Sequence, residues 1–339
     1  MRQQIKMEEI ARLAGVSTST VSRVLNNKDR VHPDTRAKIK TLINELGYQP
    51  CVSAQSLVAQ RTNNIMLLIP NITDYYYPKM LEYVTSLCRG RGRRILMGVS
   101  NHDPAIEAEF LSQARQGTVD GLIVTTLQSA SNVDKFIDMA WHEFPVVHLD
   151  CDCLNLKMNT VKYDDIAAGE MAAEYLLEKG HRRIVFCGCW GGFSTVRDRR
   201  QGVINVLLRN GIAFNVEDAS IYGVSGLDNW DWDRLFKMLN SESAPTALVT
   251  ENDIMAISFI RKLTSQGLKV PEDVAVMGFG DSYSPHMIEK KLTTVSLPLK
   301  ESCQQAVDIL ISEIESASEE KKEPEYRVLA PTLVVGDTA

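Results

Sequence analysis

From Asn64 onward the chain alternates short apolar runs with amphipathic stretches, and that alternation restricts the fold more than any other feature of the sequence. The runs are "NIMLLIP", "RILMGVS", "GLIVTT", "PVVHLD", "RIVFCGC", "ALVTEN", "VAVMGFG" and "LTTVSLP". Between most of them lie segments such as "YYPKMLEYVTSLCRGRG", "AGEMAAEYLLEKGH" and "DIMAISFIRKLTSQGL", with helical spacing of their apolar residues. Strands that are apolar throughout are covered on both faces, and helices between them supply the cover, so the pattern predicts doubly wound parallel sheets. Eight such strands in a chain of 339 residues are too many for one comfortable sheet, and two lobes are expected.

The first 48 residues have a different grammar. Three short helices are predicted. The first, in "MEEIARLAGV", has Ile10, Leu13 and Ala14 on one face and Gly15 as a left-handed stop. The second begins at Ser17, an N-cap residue. The third, in "HPDTRAKIKTLINELGY", has Pro33 in its first turn, Ala37, Leu42, Ile43 and Leu46 as its apolar stripe, and Gly47 as a stop. Helix, tight turn, helix, helix is the layout of a helix-turn-helix head. Residues 49–63 are poor in large apolar side chains and are only marginally helical alone.

Charge separates the same two regions. Residues 1–62 hold ten Lys/Arg against five Asp/Glu, a charge of +5, which against a total of −6 leaves −11 for the rest. A basic head on an acidic body suits a polyanionic partner for the head alone. In "STSTVSRVLNN" (17–27) a helical wheel puts Thr18, Ser19, Ser22, Arg23 and Asn26 on one side and Val21, Val24 and Leu25 on the other. An ordinary solvated face would be filled with Glu and Lys. This one has short hydrogen-bonding groups and one arginine, the types that reach base edges and phosphates in a major groove.

Other classes fit less well. No run of about 18 apolar residues and no N-terminal signal block is present, so a cytoplasmic protein without a membrane span is expected. The seven cysteines suggest reduced thiols. The CxC pairs Cys151/Cys153 and Cys187/Cys189 end strands, but free cysteines commonly serve packing and no histidine pairs accompany them, so no metal site and no cofactor is assigned. GxxxxGK[ST], HExxH and GxSxG are all absent, which argues against an enzyme.

The stretch "EEIARLAGVSTSTVSRVLNNKDRVHPDTRAKIKTLINELGYQP" resembles the DNA-binding head of the lactose/galactose repressor (LacI/GalR) family. The likeness continues through "VDGLIV", "YDDIAAG", "KGHRRI", "ENDIMA", "VPEDVAVMGF" and "LTTV". The resemblance implies a homodimer reading a near-palindromic operator, with an effector between two periplasmic-binding-protein-like lobes. It implies a head at 1–48 and a hinge at 49–63. The first lobe is then expected at 64–162 plus about 294–325, and the second at 163–293 plus about 326–339. Thr18, Ser19 and Arg23 become the base readers, and Ser17, Thr20, Ser22, Asn26, Thr35 and Arg36 the phosphate-side groups. In the hinge, Leu57 would wedge into the minor groove, Ala54 would permit close approach, and Gln55 stands where many members have arginine. Lys6 and His32 replace the family's usual capping residues, each at a cost of at most about 1 kcal/mol.

Ligands of doubly wound sheets sit beyond the C-terminal ends of the strands. The residues expected at the effector are therefore Asp74, Tyr76, Tyr77, Asp150, Asp164, Arg197, Asn252 and a stacking tryptophan, Trp230 or Trp232. Where relatives have aspartate after "AVMGF", this chain has Gly280 followed by Asp281. A carboxylate missing opposite Arg197 would favour an anionic effector, a sugar acid or phosphosugar. A purine or nucleoside effector is the alternative within this class. A sugar-binding transport module without a genetic role is the alternative outside it, and it leaves residues 1–62 without a purpose. The C-terminal "RVLAPTLVVGDTA" has no leucine heptads, so a dimer is expected rather than a coiled-coil tetramer.

Overall fold

The structure, a computed structural model, describes residues 5–25, 31–48, 61–126, 130–151, 156–189, 193–212, 220–223, 230–316 and 323–339. The chain divides into two units, Met1–Thr62 and Asn63–Ala339.

In the first unit, helices α1 (Met7–Ala14), α2 (Thr18–Leu25) and α3 (Pro33–Leu46) surround Ile10, Val21, Val24 and Ile39. Gly15 and Gly47 end α1 and α3 in the left-handed region, at φ 73° and 61°, where a Cβ would be strained. Lys6 and His32 precede their helices without a side-chain capping bond. Two details differ from the helical wheel. Leu13 is exposed while Ala11 is buried, and Ile39, not Ala37, anchors α3.

The second unit contains both sheets. The first has the order β11-β5-β4-β3-β1-β2 and the second β12-β10-β9-β8-β6-β7. The strands of the first are β1 (Asn64–Ile69), β2 (Arg94–Val99), β3 (Gly121–Val124), β4 (Val146–Asp150), β5 (Asn159–Tyr163) and β11 (Tyr326–Leu329), all parallel. The second contains β6 (Ile184–Cys189), β7 (Ser220–Gly223), β8 (Ala247–Thr250), β9 (Ala275–Gly280), β10 (Thr293–Ser296) and β12 (Thr332–Val334). Only β12 in that sheet runs antiparallel to its neighbour.

Side-chain alternation explains why the strands are apolar throughout. Ile65, Leu67 and Ile69 of β1 pack on helices α4 (Tyr76–Arg89) and α11 (Leu299–Glu315), through Met80, Val84, Val307 and Leu310. Met66 and Leu68 point the other way, onto Leu111 of α5 (Pro104–Gln113) and onto Phe136 and Met139 of α6 (Val133–Trp141). In the second sheet Phe186, Val249 and Met277 face α7 (Asp165–Glu178) and α8 (Ser194–Arg209). Val185, Leu248 and Val276 face α10 (Asp253–Ser265), reinforced by Leu235 of α9 (Trp232–Leu239).

The lobe boundaries expected from sequence need correction at the second and third crossings. Thr293–Ser296 pairs with β9 and belongs to the second sheet, and Tyr326–Leu329 pairs with β5 in the first. The chain therefore crosses between lobes after Tyr163, after Ser296 and after Leu329. The cause is composition. The edge strand β11, "YRVL", alternates exposed and half-buried residues, and it carries no apolar run that would mark its sheet.

Candidate functional site

In each sheet the strand order reverses once, between β1 and β3 in the first and between β6 and β8 in the second. A crevice opens at such a switch point, beyond the C-terminal ends of the strands. The loop after β1 supplies Asp74 and that after β8 supplies Asn252, and these two meet across the lobes, with Asn252 Nδ2 donating to Asp74 Oδ2 at 3.5 Å. Asn252 is also the N-cap of α10, its Oδ1 accepting from the Met255 N–H at 2.9 Å. Nearby, the His102 and Phe193 rings meet edge to face, 5.9 Å apart.

The centre of the crevice is Arg199. Its Nε donates to Asp165 Oδ1 at 2.8 Å, its Nη1 to the Glu251 carbonyl at 2.8 Å, and its guanidinium lies 5.3 Å from the Phe279 ring. Arg199 and Asp165 are 7% and 3% exposed, so the pair is withdrawn from water. Burial alone would lower the Arg199 pKa, but Asp165 and Asp150 outweigh it and raise it. Asp150, at the end of β4, is buried beside the same arginine. Burial first and the Asp165 charge second push its pKa to about 7, with Arg199 and the Tyr76 hydroxyl pulling the other way. Burial also raises Asp74 and Asp165, and it brings Asp253 to about 6.

A chain of hydroxyls leads from this centre to two of the lobe crossings. Tyr76 lies 3.1 Å from the Tyr163 hydroxyl, which lies 2.7 Å from Ser302 Oγ, and Ser302 donates to the Leu299 carbonyl at 2.9 Å. Tyr163 ends β5 at the first crossing, and Leu299 follows the second. Helices α7 and α8, which carry Asp165 and Arg199, are pressed together where both have glycine. A Cβ on Gly169 would stand 1.9 Å from the Arg199 carbonyl oxygen, and one on Gly202 would stand 2.1 Å from that of Ile166.

The structure gathers Asp74, Tyr76, Tyr77, Asp150 and Asn252 at the crevice. Tyr77 is half-buried, and Asp150, Asp74 and Arg199 act on its hydroxyl. Three positions need correction. Arg197 is not the central arginine, because its side chain is 72% exposed and its Nε is bound to Asp198 at 2.8 Å. Arg199 lies about 200° further round α8, on the crevice side. Asp164 is an exposed N-cap that accepts from the Ala167 N–H at 2.9 Å, and the buried carboxylate is the next residue, Asp165. The two tryptophans belong to the core of the second lobe: Trp230 meets Phe259 edge to face at 5.0 Å, and Trp232 lies 4.8 Å from the same ring. At the end of β9, Gly280 sits at φ 125°, and a Cβ there would meet Ser282 Oγ at 2.9 Å, which excludes an aspartate without rearrangement. Asp281 is exposed. Two further acids after β8, Glu251 and Asp253, are buried and were not expected from the strand ends. The signal for Asp253 was present in "END", an acidic residue at the start of a helix.

In the head, Thr18, Ser19 and Arg23 are exposed, while Thr20, Ser22, Thr35 and Arg36 are half-buried. Ser17 caps α2. Its Oγ accepts from the Thr20 N–H at 3.3 Å and lies 2.8 Å from Ser19 Oγ and 3.0 Å from Thr20 Oγ1. Asn26 and the hinge residues Ala54, Gln55 and Leu57 lie outside the described residues. Among the described residues no His/Cys/Asp/Glu cluster could hold a metal ion, and no helix is long and apolar enough to cross a membrane.

A helix-turn-helix head joined to a two-lobed core with a crevice at facing switch points defines a ligand-responsive DNA-binding regulator. Comparison with known proteins makes the class specific. Residues 6–51 match the model of the bacterial regulatory proteins of the lacI family, and residues 173–339 match a periplasmic binding protein-like domain. The HTH-type transcriptional regulator DegA of Bacillus subtilis is 31% identical over 86% of this chain and 86% of its own length. The ribose operon repressor of Escherichia coli K12 is 31% identical over 91% of this chain and 92% of its own. A solved complex of the transcriptional regulator CelR with cellobiose superposes with a TM-score of 0.72 at 27% identity, covering 99% of this chain and 100% of that one. The chain belongs to the LacI family and is a DNA-binding transcriptional repressor with an effector-binding domain, not an enzyme.

Proposed function

We propose that this repressor acts in the cytoplasm as a homodimer on a near-palindromic operator and answers to a polyhydroxylated small molecule of the sugar class, held around Arg199 between the lobes. The observation that carries the proposal is the set of hydrogen-bonding groups converging on that arginine from both sheets: Asp74 and Asp150 from the first, Asp165 and Asn252 from the second. Carboxylates and an amide at fixed positions suit a ligand dense in hydroxyls, because each acceptor takes one O–H and the amide adds a donor.

An anionic effector loses its rationale. The case for a sugar acid or phosphosugar rests on a missing carboxylate at position 280, yet Asp74, Asp150 and Asp165 act on one arginine that Asp165 already engages. Binding across the two switch points would fix the angle between the lobes and so shift the population able to hold DNA. Thr18, Ser19 and Arg23 would read bases, with Ser17, Thr20, Ser22, Thr35 and Arg36 toward the phosphates. Titration calorimetry with neutral hexoses and pentoses, sugar acids and sugar phosphates tests the effector class. Binding of the neutral compounds is expected, and binding of the anions alone contradicts it. A mobility shift with the DNA upstream of the gene and its neighbours tests the regulatory role, and a lack of sequence-specific binding contradicts that.

A further inference from the structure

The charge balance of the crevice bears on what enters it, an inference that rests on the effector reading above. Three carboxylates, Asp74, Asp150 and Asp165, act on one guanidinium, which Glu251 reaches only through its backbone carbonyl. Asp253 is fully engaged within the protein, with Oδ1 accepting from the Thr294 hydroxyl at 2.5 Å and Oδ2 from the Ser282 N–H at 2.9 Å. Asp74 accepts from the Tyr76 N–H at 3.0 Å and from Asn252. Arg199 directs one nitrogen to Asp165 and another to the Glu251 carbonyl. Two carboxylate oxygens have no hydrogen-bond partner among the described residues: Asp150 Oδ1 and Asp165 Oδ2, on side chains of residues only 8% and 3% exposed. Asp165 acts electrostatically on Asp150, and both act on Arg199. Asp150 is held at φ 78°, a conformation costly for a residue with a Cβ and found where function fixes a side chain.

Among the described residues, the cations that act on Asp74, Asp150 and Asp165 are Arg199 and Lys162. Lys162 acts on Asp165 but is opposed by Asp198. A neutral ligand would satisfy the two oxygens as acceptors and leave their charge in place. A carboxylate or phosphate would add to it.

We propose that the effector carries a protonated amine as well as hydroxyls, as an amino sugar or aminated polyol does, and that its ammonium group sits against Asp150 and the unbonded oxygen of Asp165. A buried carboxylate pair relieved by an ammonium is a strong, directional site because charge-assisted hydrogen bonds replace a repulsion. Proton and ammonium then compete for Asp150. Around it stand Asp74 from the loop after β1, Tyr76 and Tyr77 from α4, Tyr163 from β5, Asp165 from α7, Arg199 from α8 and Cys303 from α11. With Asp150 raised to about 7, amine binding weakens as pH falls below that value.

The test is calorimetry of the full-length protein with D-glucosamine and D-galactosamine, each against its parent hexose and the matching aldonic acid. At least one amine is expected to bind about tenfold more tightly than its parent near pH 7.5, with the preference lost in Asp150→Asn. Asp164→Asn, at the exposed cap of α7 outside the crevice, is expected to retain it. A parent hexose or aldonic acid that binds as tightly as the amine, or amines that do not bind at all, would overturn the proposal. Operator binding by the same preparation is read separately, so a protein that shifts DNA but prefers the neutral sugar refutes the amine and leaves the regulator intact.

Discussion

Gly169→Ala tests the packing that puts Arg199 where it is. The added Cβ would lie 1.9 Å from the Arg199 carbonyl oxygen and 2.7 Å from its carbonyl carbon, both backbone atoms of the facing helix. Ordinary contact requires about 3.4 Å, so α7 and α8 must separate by roughly 1.5 Å. Overpacking of this kind costs about 3 kcal/mol where backbone and not a side-chain tip must move. Alanine returns about 1 kcal/mol of helix propensity. A net loss of about 2 kcal/mol, or about 4–8 °C in the melting temperature of the core, is expected by differential scanning calorimetry. The Arg199–Asp165 bond at 2.8 Å spans the same two helices, so effector affinity should fall with stability. A variant that melts with the wild type and binds effector normally would refute the account of this helix contact. Gly202→Ala is the paired test, its Cβ meeting the Ile166 carbonyl oxygen at 2.1 Å.

Three further outcomes are expected. Arg199→Ala leaves Asp165 and Asp150 buried without their cation and should destabilise the core by about 3–5 kcal/mol in urea unfolding, whereas Arg197→Ala should stay within about 0.5 kcal/mol; equal effects would return the central role to Arg197. Asp150 holds its proton more tightly folded, at about 7, than unfolded, at 3.8, so its contribution is fully present below the unfolded value and is lost as pH rises through 7. Asp150→Asn should therefore match wild type in acid and exceed it in unfolding free energy, read by urea titration, above pH 7, by at most about 4 kcal/mol at 1.36 kcal/mol per unit; a variant less stable than wild type at alkaline pH contradicts this. Arg23→Ala should weaken binding to the preferred operator by about 1–3 kcal/mol in fluorescence anisotropy and flatten the preference at one base position, while a uniform loss across sequences would make Arg23 a phosphate contact.

The legible parts of the sequence were those written in apolar periodicity or in backbone punctuation. Runs such as "NIMLLIP" and "VAVMGFG" became β1 and β9, and Gly15 and Gly47 became left-handed helix ends. Strands with polar or half-exposed faces were invisible by the same criterion: "NTVKY" of β5 opens with two polar residues, and β11 and β12 are edge strands. That blindness is what misplaced the third lobe crossing, at β11. The site failed in a narrower way. Motif spacing located α7 and α8 but not their rotation about their own axes, and a one- or two-residue error in a helix moves a side chain by 100° or 200°. Hence the sequence points to Asp164 and Arg197 where the crevice holds Asp165 and Arg199. The charge of the crevice was not legible at Gly280, because the meeting of Asp74, Asp150 and Asp165 with Arg199 depends on which strand ends face each other.

The central claim, that occupancy of the crevice controls the head, is tested most directly by the operator dissociation constant measured with and without a sugar or amino sugar that calorimetry shows to bind the wild type and not Arg199→Lys. A change of about 5- to 150-fold is expected, matched by an equal change in sugar affinity when operator is present, since the coupling is reciprocal. An operator affinity that stays constant while the crevice fills would contradict it.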